Sequence, residues 1–98
     1  MKVIADISVL PIGTGPSVSE YVVACQRIFK ESGLAPNVHA EGTEVEGEWD
    51  QVIGAVRRCH EQVHQMGAPR IDTIMKINTR TDREESAERM IRSVKEKM

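Results

Sequence analysis

Two stretches of helical periodicity, each set between segments of alternating polarity, restrict most strongly how this chain can fold. In the first, Val18, Val22, Cys25 and Phe29 recur at the spacing of one helix face, and Gly33 stands where a left-handed cap would end the helix. Ser17-Val-Ser-Glu20 has capping-box spacing, which predicts the start of that helix. In the second, Trp49 and Asp50 open a helix whose stripe is Val52, Val56, Cys59 and Val63, flanked by Ile53 and Met66. Gly67 stops it and Pro69 prevents its resumption. A third stripe, Ala87, Met90, Ile91, Val94 and Met98, predicts a last helix with Asp82 as its cap.

The intervening segments read as strands. Lys2–Leu10 alternates and is rich in β-branched residues, and Pro11-Ile-Gly-Thr-Gly-Pro16 then breaks regular structure. Asn37–Gly47 reads as two short strands, or as one strand bent at Gly42. Arg70–Thr79 is the fourth, with Ile71, Thr73, Met75 and Ile77 on one face. The order is β-α-β-β-α-β-α. Two βαβ units in succession describe an α+β, ferredoxin-like βαββαβ sandwich with an additional C-terminal helix. At 98 residues this is one domain, residues 1–98.

Helices packed on one face of a four-stranded sheet would meet Val3, Ala5, Ile7 and Val9 from the first strand. The opposite face then carries Asp6, Ser8, Lys76 and Asn78 among Ile4, Leu10 and Ile74, with His39, Glu44 and Glu46 joining from the middle strands. A small domain leaves much of its surface uncovered, so covering of this mixed face by another subunit is the economical expectation.

Composition excludes several functions. A net charge of −2 leaves no electrostatic footprint for nucleic acid, and Tyr21, Phe29 and Trp49 are too few aromatics for a base-stacking platform. No apolar run is long enough to span a membrane, and Asp6 interrupts the only candidate for a secretory leader. Cys25 and Cys59 both fall on apolar helix stripes, where they act as small buried hydrophobes; this points to a reducing, cytoplasmic location.

Four patterns bear on chemistry. Glu41-Gly-Thr-Glu-Val-Glu-Gly-Glu-Trp-Asp50 holds five carboxylates and no base, either a solvated acidic hairpin or a site for a cation with Trp49 or an apolar wall against its rings. Gly13-Thr-Gly-Pro-Ser17 before a helix resembles an anion cradle but lacks the lysine of a phosphate loop. His60-Glu-Gln-Val-His64 matches the zinc-hydrolase pattern H-E-x-x-H, yet no third ligand follows, so a solvated helix face is the better reading. Ser8, Ser17 and Ser19 have no nucleophile elbow around them.

Three blocks carry a resemblance to a family. They are Ile7-Ser-Val-Leu-Pro-Ile-Gly-Thr14 with Ser17-Val-Ser-Glu-Tyr-Val22, then Gly42-Thr-Glu-Val-Glu-Gly-Glu48, then His60 through Gly67 and Arg70 to Lys76-Ile-Asn-Thr-Arg80. In that order they resemble the small thiamine-binding proteins of bacteria, archaea and fungi. The resemblance implies non-catalytic binding of thiamine or a related pyrimidine or thiazolium compound, as a ligand rather than a cofactor, with no metal. It also implies a homo-oligomer built as a dimer of dimers. Carried over block by block, it points to Ser8, Thr14, Thr43 and Glu46 as ligand contacts, with Lys76 and Arg80 beside them. Glu46 would accept from the ligand's amine or offset its cation, while Ser8 and Thr43 would orient it. The alternatives are an oligomeric interaction protein without a small ligand and, further off, a zinc hydrolase using His60, Glu61 and His64.

Overall fold

Strict alternation makes the sheet. In the computed structural model, which describes residues 1–98, the strands are β1 (Lys2–Ile12), β2 (Asn37–His39), β3 (Gly42–Glu48) and β4 (Arg70–Thr79). The helices are α1 (Ser19–Glu31), α2 (Trp49–Gln65) and α3 (Ala87–Glu96). The strands join antiparallel in the order β2-β3-β1-β4, the ferredoxin-like arrangement expected from the element order. The Asn37–Gly47 segment resolves into two strands with the turn at Ala40 and Glu41.

Register decides which face each residue takes. Val3, Ala5 and Ile7 lie opposite Gly47, Val45 and Thr43 on one side and Thr79, Ile77 and Met75 on the other. This row faces α1 and α2, and with Cys25, Ile28, Phe29, Leu34, Val52, Ala55, Cys59 and Val63 it forms one core. Of these, the Cys25 and Cys59 thiols touch across the α1–α2 contact. A shared hydrogen bond lowers the pKa of Cys25, while that bond and burial raise that of Cys59. Gly33 and Gly67 follow α1 and α2 with φ of +78° and +111°, as left-handed caps require.

Three local expectations fail, each for a physical reason. β1 does not stop before Pro11 but runs on to Ile12, because beyond Ile7 it pairs with β4 alone and a missing N–H there need not break a ladder. The Ser17–Glu20 capping box does not form: Val18 is the N-cap of α1, and the Ser17 and Ser19 hydroxyls meet each other at 3.4 Å. A capping box forms at α2 instead, between Glu48 and Gln51. Asp82 does not cap α3. It lies too far upstream, and Ser86 takes the position, its hydroxyl accepting from the Arg89 N–H at 3.1 Å.

Candidate functional site

The second face of the sheet is where the chain brings charge and apolar surface together. Glu44 and Glu46 alternate with buried Thr43 and Val45, so their carboxylates emerge on the side away from α1 and α2. Glu46 lies opposite Ile4 and Glu44 opposite Asp6, with Lys76 beyond Asp6 on β4. His39 Nε2 meets Asp6 Oδ1 at 2.5 Å on the same face.

Part of this face is taken by α3. The backbone N–H of Ala87 donates to Glu46 Oε1 at 2.5 Å, so the carboxylate sits at the positive end of the helix. Lys2 Nζ stands 3.7 Å from the other oxygen. Just before the helix, Glu85 is the centre of an arginine cluster. Arg80, Arg83 and Arg89 approach its carboxylate at 3.0, 3.6 and 3.5 Å, and the carboxylate also accepts from the Ser86 N–H. That backbone bond, then the arginines, hold the Glu85 carboxyl below the usual carboxylate range. Arg80 also clasps Asp82 with two hydrogen bonds, which draws the Asp82 pKa down to about 2 and raises that of the guanidinium.

Two of the cavities beside α3 have apolar walls. One, of about 740 Å³, lies toward β2 and is walled by Leu34, Ala35, Val45 and Ile91, with Asn37, Glu44, Glu46, Glu88, Arg92, Lys95 and Glu96 as its polar groups. The other, of about 440 Å³, is walled by Ile4, Met90, Ile91, Val94 and Met98. Glu44 and Lys95 reach both. Glu44 differs from Glu46 in one respect that matters: it is half-buried with no hydrogen bond or ion pair of its own. A free carboxylate between apolar walls suits a flat organic cation, whose charge it meets and whose rings the walls cover.

The residues named from the resemblance do not converge. Glu46 lines the larger cavity, but its carboxylate is engaged by α3. Ser8 and Lys76 share the face, opposite Ile74 and Asp6, and line neither cavity. Thr43 turns the other way: it is 5% exposed among the helices, and its hydroxyl accepts from Gln26 Nε2 at 2.7 Å. Register forces this, since Thr43 pairs with core-facing Ile7. Thr14 follows the far end of β1 with a buried hydroxyl that finds no partner, whereas Glu46 pairs near the start of that strand. Arg80 lines a separate hollow with Lys2 and Glu48. Trp49, 42% exposed at the start of α2, lines neither cavity beside α3. Sequence reasoning passes over Glu44, Asn37, Ile91 and Lys95 as contacts. The signal for Glu44 was its two-residue spacing from Glu46.

The histidine pair also has its own work. His60 Nε2 bonds Thr73 Oγ1 at 2.5 Å, joining α2 to β4, and His64 Nδ1 donates to the Ala68 carbonyl at 2.8 Å. No group of three His, Cys, Asp or Glu side chains is placed to hold a metal.

Residues 5–95 match the pattern of a family described as thiamine-binding protein. The chain belongs to that family. A UPF0045 protein of the cyanobacterium Synechocystis is 50% identical over 94 residues, covering 96% of this chain and 78% of the relative. The crystal structure of a hypothetical protein of Methanocaldococcus jannaschii superposes with a TM-score of 0.90 at 35% identity, over 97% of both chains. A Thermotoga maritima protein whose description concerns thiamine biosynthesis or salvage shares the fold, with a TM-score of 0.81 at 20% identity over 96% of this chain and 99% of that one. Family membership supports a thiamine-related role for the chain. No helix is long and apolar enough to cross a membrane.

Proposed function

We propose that the chain binds a thiamine-type cation in the groove between α3 and β3 and catalyses nothing. The observation that carries this reading is the unpaired Glu44 carboxylate set between apolar walls in a member of the thiamine-binding family. A thiazolium is a permanent cation, and Glu44 offsets its charge where water is partly excluded. An aminopyrimidine offers an amine donor and ring nitrogens, which Asn37 and Glu44 complement, while Leu34, Ala35 and Ile91 cover the rings.

An assembly of several copies, a dimer of dimers, completes the reading. Its support is the exposure of Ile74 and Leu10 (75% and 48%) on the sheet face beyond α3, apolar surface that a second copy would cover. The buried free thiols suit a cytoplasmic setting. Calorimetric titration of the full chain with thiamine, with its mass in solution recorded alongside, tests both statements. Saturable heat that Glu44→Gln reduces supports the groove. Heat that Glu44→Gln leaves unchanged moves the site elsewhere. No heat from an intact oligomer favours the second reading, an interaction protein whose exposed apolar sheet face serves assembly alone.

A further inference from the structure

Exposure along α3 rises steadily from one end to the other. Ala87 is 9% exposed, Met90 39%, Ile91 49%, Val94 61% and Met98, just past the helix, 95%. These are the apolar residues of one stripe, and the last four wall the smaller cavity together with Ile4 and Glu44. The helix is therefore pinned at its first turn and stands away from the sheet along the rest of its length. The pins are the Glu46 carboxylate on the Ala87 N–H and the Glu85–arginine cluster immediately upstream. A space of about 440 Å³ separates the stripe from the sheet.

We propose that α3 is a hinged cover that closes over a ligand held by Glu44. The inference rests on the groove reading above and extends it: Glu44 lines both cavities, so a ligand held on it reaches under the helix into the smaller one. Rotation about the Ala87 end brings Ile91 and Val94 onto whatever lies on Ile4 and Glu44. The occupant is an organic cation with a flat apolar ring: the floor offers a free carboxylate, and the underside of the cover is apolar apart from Lys95 at its rim. Closure removes the exposed stripe from water and strengthens the Glu44 contact by excluding solvent.

Amide hydrogen exchange of the full chain, with and without thiamine, tests the cover, and calorimetry on the same samples records binding. In the free protein, α3 amides should exchange at least ~10-fold faster than those of α2, and saturating thiamine should slow them about 10-fold. Val94→Asp, at an exposed position, should weaken thiamine binding about 10-fold without lowering the unfolding temperature. Binding heat with no change in α3 exchange overturns the cover and leaves the groove reading standing. So does an α3 that is already as protected as α2 in the free protein, whether by docking or by a second copy. Absence of thiamine binding overturns both.

Discussion

Glu46 was one of six residues that a family resemblance pointed to for the ligand, and in the structure its carboxylate holds the start of α3, a role that a single substitution tests. Glu46→Gln keeps an oxygen within reach of the Ala87 N–H but removes the charge. A hydrogen bond to a charged group contributes about 1.5–3 kcal/mol and a neutral one about 0.5–1.5 kcal/mol. The Glu46 side chain is 31% exposed, which places both at the lower end of their ranges. The difference is about 1 kcal/mol, or roughly 5-fold in the opening equilibrium of the helix. Lys2 at 3.7 Å, itself half exposed, adds little. Because α3 buries only Ala87, it opens without disturbing the α1–α2 core. The loss should therefore appear as faster exchange at Ala87 and in the following turn, with the urea midpoint of the whole chain almost unmoved. A lower midpoint with unchanged α3 exchange would show that Glu46 supports the sheet instead. Thiamine affinity lost in Glu46→Gln but kept in Glu44→Gln would restore the ligand role to Glu46.

Phe29 is 1% exposed and the largest of the fully buried side chains, so Phe29→Ala should cost about 3–5 kcal/mol in urea denaturation. Gly42→Ala would set a Cβ 2.8 Å from the Ile7 carbonyl oxygen, backbone that cannot step aside; displacement of the β2–β3 hairpin should cost about 1–3 kcal/mol, read from the thermal midpoint. Acid should loosen α3 before the core. The Asp82 carboxyl is depressed from 3.8 to about 2 and that of Glu85 is lowered from 4.5, so their support is complete above pH ~5 and fades as pH falls toward ~2. Amide spectra recorded across that window should lose α3 signals while α1 and α2 persist, and a simultaneous loss would count against an independently anchored helix.

Much of this protein is legible in residue order. Periodicity located both core helices because burial on a sheet demands one apolar stripe, and Cys25, Phe29, Val52, Cys59 and Val63 all lie where the stripes put them. Strand alternation likewise assigned Val3, Ala5 and Ile7 to the helices and Asp6, Glu44 and Glu46 to the other face. Both are local consequences of fixed side-chain spacing. The caps were less legible, since Ser17 and Asp82 have the right chemistry and the wrong place, and the choice among neighbouring polar residues depends on how the chain enters the helix. Tertiary structure alone decided the site. Thr43 and Glu46 stand three residues apart on one strand, yet pairing of β3 with β1 sends the first into the core and the second to the opposite face. Only the docking of α3 showed that Glu46 is spoken for and Glu44 is free, because that contact joins residues 41 positions apart, and no sequence spacing encodes it.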